Sequence, residues 1–110
     1  MKAVYCQKGE TIDYKNDKEE IIEAGDVVNI ISRIGIAGTS IKENEIGTVH
    51  VVGVFEFRKA QKEKIIVGTK VYYDEANDCI TATETSNIPA GYAVKTASEN
   101  DVSVYVKLIG

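Results

Sequence analysis

The sequence predicts an all-β protein, a small single-domain β-barrel or β-sandwich built from hairpins with at most one short helical turn. Gly25, Gly47, Gly68 and Gly91 recur at nearly equal intervals, and each leads into a short run rich in valine or tyrosine. Several runs alternate apolar and polar residues at the two-residue period of a half-buried strand. Short polar segments separate successive runs, as hairpin loops do.

The repeated glycine predicts four tight turns, each directly before a strand. Glycine adopts positive φ without steric cost and can therefore close such a turn. A period of this length can indicate a solenoid, but the segments between the glycines differ too much from one another. Four units of this kind fit a single closed or sandwiched sheet.

The first half of the chain contains short candidate strands. Residues 3–6 and 11–14 are strand-like, with Gly9 at the turn between them, and residues 27–36 form a strand pair or one bent strand. Residues 17–24 have some helical character, but the segment is too short for more than a single turn.

A longer strand is predicted over residues 48–57. Val49, Val51, Phe55 and Phe57 share one face, and Gly53 interrupts it, which is typical of a bulge or bend. Val52 and Val54 lie on the opposite face, so we expect burial on both sides, as in a strand that crosses a barrel or meets a partner subunit.

Two hairpins follow from local signals in the second half. Residues 70–74 and 79–83 are strand-like around the polar segment 75–78, and residues 92–97 and 102–108 repeat the arrangement around 98–101. The last run alternates valine and leucine with polar residues and is the clearest strand in the sequence.

Length and composition favour one folded domain covering residues 1–110, with residues 1–17 as an N-terminal arm or edge strands. Hydrophobic residues make up 44% and charged residues 27% of the 110 residues, which is ordinary for a globular protein. The chain has one proline and no glycine- and serine-rich linker, so nothing indicates a second domain.

The charge balance argues against direct binding of nucleic acid. Lys and Arg total 13 against 17 Asp and Glu, a formal net charge of −4. Nucleic-acid binding needs a basic surface. The nearest approach to one, Arg58, Lys59, Lys62 and Lys64, is interrupted by other residues and predicts a solvated loop between strands.

No membrane association or export is expected. The apolar stretches are far shorter than the roughly 20 residues that span a bilayer, and the first residues lack the pattern of a secretory signal. We therefore expect the protein to be made in a cytoplasm. Cys6 and Cys79 fit that expectation as free thiols buried among strand residues, with a disulfide between them as the alternative.

Candidate reactive groups are few. His50 is the single histidine, and a structural or surface role suits its strand position better than a metal site or a triad. Pairing of Cys6 with His50 is the one nucleophilic alternative, without a local motif to support it. Asp74, Glu75 and Asp78 could hold a calcium ion, although their spacing is not that of a calcium loop and a polar hairpin tip is expected. We assign no catalytic residue, metal ligand or cofactor.

The tyrosines are candidates for subunit contacts. Tyrosine suits half-exposed sheet positions and is enriched at protein interfaces. Tyr72 and Tyr105 lie on the outward parity of their strands if the valines face the core, and Tyr5 and Tyr14 are the further candidates.

Taken as a whole, the sequence resembles the capsid cement, or head decoration, proteins of tailed phages and prophages, a family formerly catalogued as a domain of unknown function. The segments that carry the resemblance are residues 7–14, 22–28, 35–39, 47–55, 67–74 and 90–94. Some relatives carry a recombinase label. The chain does not support that label, because residues 35–40 lack the lysine of a phosphate-binding loop and are expected to form a turn.

The resemblance implies a noncatalytic virion component, often trimeric, that binds the outside of an assembled capsid and resists the pressure of packaged DNA. Its partners would be the major capsid protein and further copies of itself, most simply as a homotrimer. It would be produced in the bacterial host cytoplasm and located on the capsid surface, with residues 1–17 lying along the capsid or a neighbouring copy. A small β binding module for a metal or sugar, and a hydrolase using Cys6 or His50, are the alternatives. The chain departs from the family pattern in the Lys- and Glu-rich segment 15–23.

Overall fold

The computed structural model describes residues 1–109, which form an all-β protein of two antiparallel sheets. Within these residues the strands, in chain order, are β1 Thr11–Lys15, β2 Val27–Asn29, β3 Ile34–Ala37, β4 Ile46–His50, β5 Gly53–Arg58, β6 Lys70–Asp74, β7 Cys79–Thr81, β8 Ile88–Ala93 and β9 Ser103–Leu108. No helix occurs in this part of the chain, so the helical turn considered for residues 17–24 is not formed. A helix long and apolar enough to cross a membrane is likewise not found in residues 1–109.

The two sheets come from consecutive halves of the chain and form a sandwich rather than a closed barrel. The first has four strands in the order β1-β4-β3-β2, and the second has five in the order β5-β9-β8-β6-β7. The chain passes from one sheet to the other between His50 and Gly53, where Gly53 has a φ of 124°. The single strand predicted over residues 48–57 is therefore two strands, because the backbone turns at this glycine.

Two apolar clusters fill the protein. The larger joins the sheets and contains Ile34, Ile36, Phe57, Ile65, Val71, Tyr73, Ile80, Ala90, Ala93, Ala97, Val104, Val106 and Leu108. The smaller lies on the opposite face of the four-stranded sheet and contains Val28, Ala37, Ile41, Val49 and Val51. Strand β3 contributes to both clusters, and all four of its residues are buried. It is thus the strand around which the two halves pack.

The four repeated glycines serve two different purposes. Gly25 and Gly68 have φ values of 92° and 89° and form turns before β2 and β6, as predicted. Gly47 and Gly91 lie inside β4 and β8 instead, so the prediction of a turn is wrong there. A Cβ at Gly47 would overlap the Ile41 side chain, and one at Gly91 would overlap the carbonyl of Lys107 on the neighbouring strand. Close packing, and not a turn, explains these two glycines.

Each half contains a matched pair of turns. Ile22 pairs with Ile41 in the first half, and Ile65 pairs with Ala97 in the second, as isolated antiparallel bridges. After each of these four residues a tight turn is closed by an N–H that donates to the carbonyl three residues earlier; the donors are Asp26, Glu45, Thr69 and Asp101. This unit is the structural repeat that the spacing of the glycines only partly revealed.

Asn16 joins residues 18–20 to the turn after Ile41 and is fully buried. Its side-chain amide donates to the carbonyls of Glu20 and Ile41, at 2.8 and 2.9 Å, and its Oδ1 accepts from the N–H of Lys18 at 3.0 Å. Its backbone N–H donates to Glu45 and its carbonyl accepts from Asn44. The Asn16 side chain therefore connects residues 18–20 to Ile41, and its backbone is bonded to the turn that follows Ile41.

The other strand predictions have mixed outcomes. The strand at residues 11–14, the pair within 27–36 and the hairpin of residues 70–74 with 79–83 are confirmed. The last hairpin is confirmed as a pair, but its first strand is β8 and not residues 92–97, of which only 92 and 93 belong to that strand. Residues 3–6 are exposed and form no strand, because no neighbouring strand pairs with them. The expected turn over residues 35–40 is wrong in its first part, which belongs to β3.

Two burial predictions in the region after β4 are also wrong. Val54 is 55% exposed, since the outer face of edge strand β5 has no covering layer in residues 1–109. Lys59 is 3% exposed instead of solvated, and its ammonium group donates to the carbonyls of Ala60 and Glu63. Its long apolar stem allows that burial while the cation stays hydrogen-bonded.

Candidate interaction surfaces

A groove of about 630 Å³ separates the four-stranded sheet from the β6–β7 hairpin. Its floor is apolar and is formed by Val27, Ile36, Phe55, Phe57 and Ile80. Val27 and Ile36 face each other across β2 and β3, and Phe55 and Phe57 come from the same face of β5. Phe55 is only half-buried, so apolar surface remains accessible in the groove.

His50 lies in this groove because it is paired with Ile36 across β3 and β4. Its ring centroid is 6.0 Å from that of Phe55, and the rings are tilted by 47°. The predicted structural or surface role fits this half-buried position against an aromatic ring. The base of the N-terminal segment is close by, since Thr11 pairs with His50 and the Glu10 carbonyl accepts from the Val51 N–H.

Charged groups line the rim of the groove. Glu56, Arg58 and Asp78 lie along one side. The Arg58 guanidinium donates to the carbonyls of Asn77 and Asp78, at 2.7 and 2.8 Å, and lies 3.9 Å from the Asp78 carboxylate. Both side chains of this ion pair are largely exposed, so it adds little stability and mainly fixes the hairpin tip against β5.

The turn at residues 23–26 borders the groove on a second side. Ala24 and Gly25 line the groove, and the turn itself carries Glu23 and Asp26. The Asp26 carboxylate accepts from the N–H of Glu23 at 2.9 Å, which holds the turn closed. The backbone of this turn therefore borders one side of the apolar floor, and the Arg58–Asp78 pair borders the other.

The three carboxylates considered as calcium ligands have separate partners. Asp74 accepts from the backbone and side chain of Asn77, which lowers the pKa of this carboxyl. Asp78 accepts from the Tyr73 hydroxyl at 2.6 Å, and Glu75 lies within 3.5 Å of the Asn29 amide. Across residues 1–109, no three His, Cys, Asp or Glu side chains are placed to share a metal ion. The expected polar hairpin tip describes this segment.

Tyr73 and Asp78 together fix the end of that hairpin. Burial and the hydrogen bond to the Asp78 carboxylate raise the pKa of the Tyr73 phenol well above its ordinary value of about 10. The phenol is therefore a neutral donor over the whole physiological range. This contact is structural and gives the groove no acid or base near neutral pH.

Both cysteines are free thiols, but their surroundings differ. Cys6 is exposed, contrary to the prediction that it is buried in a strand, and its sulfur lies 3.5 Å from the Val4 carbonyl. Cys79 is half-buried in the groove, and burial raises the pKa of its thiol. A catalytic thiol needs the opposite shift, so Cys79 does not supply an activated nucleophile.

The four predicted contact tyrosines do not form one patch. Tyr72 and Tyr105 point outward from β6 and β9 as their parity predicts, and Tyr105 is 39% exposed with the Lys95 ammonium 5.0 Å from its ring centroid. Tyr14 is half-buried against the smaller cluster, and Tyr5 is 80% exposed. Tyr72, Tyr105 and Tyr14 line three different surface depressions.

The N-terminal arm, defined here as residues 1–9, is the most exposed part of the described chain. Met1, Val4 and Tyr5 are large apolar residues that are at least 80% exposed. Among residues 1–109, no backbone hydrogen bond joins this arm to the remainder of the protein. The sequence predicted a strand over residues 3–6. A local pattern does not show whether a neighbouring strand is present to pair with it, and here none is.

A scan against protein families places most of the chain in one of them. The family model described as phage cement protein matches residues 6–108. No curated protein matches significantly, and no solved structure does so either. The matched range covers both sheets, both apolar clusters and the groove, and it begins within the arm.

Proposed function

The chain belongs to the phage cement protein family, and on that basis we propose that it binds the outside of an assembled capsid and stabilises the shell without catalysing a reaction. Membership gives it a structural role in a phage capsid. The observation that carries the proposal is the extent of the match, residues 6–108, which includes every strand. The raised pKa of the Cys79 thiol in the groove supports the noncatalytic part of the proposal.

The partners in this proposal are the major capsid protein and further copies of the chain, arranged as a homotrimer. A domain of 41 × 38 × 22 Å can touch few capsid subunits by itself. A symmetric oligomer can contact several at once, and linked weak contacts gain avidity through effective concentration. Many modest interfaces would then hold neighbouring capsid subunits together.

The proposed contact residues are the outward tyrosines Tyr72 and Tyr105, together with Tyr5, Tyr14 and the N-terminal region. The rings on β6 and β9 are presented on rigid strands, which favours a specific contact. The acidic net charge of −4 suits a protein that remains outside the shell and does not contact packaged DNA. In this proposal it is made in the host cytoplasm and ends on the virion surface.

Sedimentation with capsid shells tests this function. The shells would be assembled from the major capsid protein of the same phage, expanded, and mixed with the purified chain. We expect saturable co-sedimentation and a higher temperature for shell dissociation. A Tyr105→Ala, Tyr72→Ala variant should bind more weakly, whereas Tyr92→Phe is a control that keeps the ring.

The proposal fails if the chain stays in the supernatant at saturating concentration, or if it binds without changing shell dissociation. Light scattering on the free protein tests the oligomer separately. A stable monomer at high concentration would remove the trimer and leave capsid binding to single copies.

A further inference from the structure

The two halves of the chain repeat one four-stranded unit. The strand order β1-β4-β3-β2 of the first sheet recurs as β5-β9-β8-β6 in the second, with β7 added at its edge. The Gly25 N–H donates to the Ala37 carbonyl, and the Gly68 N–H donates in the same way to the Ala93 carbonyl. Together with the paired turns of each half, these bonds place the residues of the two halves in one-to-one correspondence.

Asn16 and Lys59 extend this correspondence to the first strand of each half. Both are buried, and each lies directly after that strand. Each side chain donates to the carbonyl of the residue four positions on, which is Glu20 for Asn16 and Glu63 for Lys59. The residues of β1 and β5 that precede them therefore correspond as well.

Corresponding residues lie on corresponding faces of the two sheets. Val28 and Val71 come at the same spacing after the turn glycine of their half, and each valine faces a buried cluster. We call this side the inner face of each sheet. The other side, called the back face, carries Val27 in the first sheet and Lys70 in the second.

Within one chain the halves pack back face to inner face. Ile36 pairs with Val27 on the back face of the first sheet, and it belongs to the large cluster on the inner face of the second sheet. The two faces in contact are therefore unlike, which is the arrangement of a head-to-tail assembly and not of a two-fold pair. Such an arrangement leaves one back face and one inner face without a partner in each copy.

The back face without a partner belongs to the second sheet. Its central row runs from Lys70 through Tyr92 and Lys107 to Val54. Tyr92 is half-buried, and the other three residues are exposed. The corresponding row of the first sheet, which faces the second sheet, consists of Val27, Ile36 and His50.

Both lysines of this central row are available for an ion pair. Neither ammonium group is ion-paired among residues 1–109. Glu56 and Asp74 share the face but lie outside the central row, and each already accepts a hydrogen bond from a neighbouring residue. The row therefore presents an aromatic ring between two cations.

The inner face without a covering back face belongs to the first sheet. Tyr14 corresponds to Phe57 on the first strand of each half, and Ile22 corresponds to Ile65 at the bridge between the turns. Phe57 and Ile65 are 8% and 0% exposed, whereas Tyr14 and Ile22 are only half-buried. The first half therefore leaves apolar side chains accessible at positions that are closed in the second half.

An acidic depression lies on the same side of the first half. It has a volume of about 180 Å³, and Tyr14, Ile22 and Val28 contribute to its lining. The exposed Glu20 carboxylate in this depression accepts no hydrogen bond among residues 1–109, so it is available to a lysine of another copy. The charged residues that line the depression are Lys18, Glu20, Asp26 and Glu75.

The distribution of charge along the chain favours the same pairing. Residues 10–50 contain nine Asp and Glu against four Lys and Arg, whereas residues 51–110 contain eight against seven. A contact between two first halves would bring like charges together. A first half against a second half instead places the acidic surface beside the lysines of the back face.

We infer that the back face of the second sheet in one copy packs on the inner face of the first sheet in the next copy. This contact continues between copies the packing that corresponding halves already show within one chain. The inference deepens the proposed function, since it names the interface of the proposed oligomer and rests on it. Around a three-fold axis such contacts close a ring of six similar halves.

A photoreactive side chain in the centre of the back face tests this contact in the full chain. We expect irradiation of Tyr92→p-benzoylphenylalanine to link position 92 to residues 12–28 of a second copy, with the linked peptides identified by mass spectrometry. Mixing natural and ¹⁵N-labelled protein separates links between copies from links within one. Ile66→p-benzoylphenylalanine, on an exposed turn outside the central row, should give at most about a tenth of this product.

The contrary results of the irradiation are specific. Links from position 92 of one copy to position 92 of another would show a two-fold contact and overturn the inference. Links to any other segment would place the back face against a different surface and also overturn it. Absence of a link between copies would do the same.

Reversal of charge gives an independent readout at exposed positions. Lys70→Glu, Lys107→Glu should weaken self-association about tenfold, and so should Glu20→Lys, Glu75→Lys, because each change brings like charges together across the contact. Mixed in equal amounts, the two double variants should associate with each other, since their charges are again opposite. Sedimentation velocity measures all three samples.

The control for the lysine pair is Lys2→Glu, Lys64→Glu, which makes the same change in net charge at exposed positions outside both faces. It should leave self-association unchanged. Equal weakening by this control, or a mixture that associates no better than either double variant alone, would overturn the inference.

Failure of this inference is distinguishable from failure of the proposed function. If shells bind the protein but position 92 forms no link to residues 12–28 of a second copy, capsid binding stands and this interface is wrong. If the link forms but shells are not bound, the copies assemble through this interface and the capsid role is wrong.

Discussion

The two halves of the protein build the same paired-turn unit on very different cores. The first half buries five apolar residues in the smaller cluster and depends on Asn16 to connect residues 18–20 to the turn after Ile41. The second half shares in a cluster of thirteen buried residues, and its paired turns at Ile65 and Ala97 lie within that cluster. The comparison teaches that a buried hydrogen-bond network can position a turn where little apolar surface is available to do so.

The glycines inside the strands also differ between the two halves, because one has a rigid neighbour and the other an adaptable one. Gly91 in the second half faces the backbone carbonyl of Lys107, whereas Gly47 in the first half faces the side chain of Ile41. A backbone group in a paired strand cannot move away without breaking the sheet. A side chain, even one as buried as that of Ile41, can change its conformation.

The largest effect should come from Gly91→Ala. The new Cβ would overlap the Lys107 carbonyl and separate β8 from β9, so we expect a loss of at least about 4 kcal/mol in the free energy of unfolding. Gly47→Ala should lose about 1–3 kcal/mol, because only side chains, those of Ile41 and Thr39, have to move. Urea unfolding followed by circular dichroism measures both.

Gly68→Ala is the matched control for these two variants. Gly68 has a φ of 89° but open space around its Cβ position, so the expected cost is about 1 kcal/mol from backbone strain alone. Equal losses in Gly91→Ala and Gly47→Ala would show that the neighbour of the Cβ does not set the cost, and the contrast between the halves would fail at this point.

The next largest loss of stability should come from Asn16→Ala, which removes the hydrogen bonds of the buried Asn16 side chain in the first half. Asn16→Ala removes two donated hydrogen bonds and one accepted one and leaves a cavity at a fully buried position. We expect a loss of about 3 kcal/mol, measured by urea unfolding.

Asn87→Ala is its control, since the Asn87 amide donates to a single carbonyl, that of Thr83, near the surface. We expect less than about 1 kcal/mol for that change. If Asn16→Ala costs no more than Asn87→Ala, the first half is held by its apolar cluster alone, and the distinction between the halves disappears.

The smallest expected effect is a pH dependence of the folding stability, which arises from Tyr73 in the second half. The pKa of Tyr73 is raised in the folded state, whereas the unfolded phenol ionises near pH 10. The stability that this group contributes is therefore fully present below about pH 10 and is lost as the pH rises towards the folded pKa. The loss is at most about 1.4 kcal/mol per pH unit for one proton.

Tyr73→Phe tests that dependence. It should lose about 1 kcal/mol at neutral pH, because the Asp78 hydrogen bond is gone, and its stability should fall less steeply above pH 10, since no phenol remains at this position to ionise. Tyr5→Phe, at an exposed position, should leave the slope unchanged. An unchanged slope in Tyr73→Phe would assign the alkaline loss to other groups.

Local patterns were sufficient for the hairpins and insufficient for contacts between distant segments. The β6–β7 and β8–β9 pairs follow from alternation and polar loops. The roles of Gly47 and Gly91 depend on Ile41 and Lys107, which no local rule places beside them. The burial of Lys59 has the same origin, because its carbonyl partners arise from the fold of the following loop.

The candidate surfaces also differ in how far the sequence alone could predict them. The outward parity of Tyr72 and Tyr105 could be read from their strands, since parity is a local property. The groove could not, because its floor combines β2, β3, β5 and β7 from both halves of the chain. Residues 1–17 were predicted as an N-terminal arm or edge strands, and only the structure shows that residues 1–8 are exposed and unpaired while residues 11–15 form an edge strand.

The single passage between the sheets, from His50 to Gly53, has a consequence for how the protein is made. All strands of the first sheet precede it and all strands of the second follow it. A nascent chain can therefore pair its first four strands while the rest is still being translated. The face of β3 that bears Ile34 and Ile36 then remains exposed to solvent until the second sheet has been synthesised. A chain released before that stage would present this apolar face, which would make it prone to aggregation.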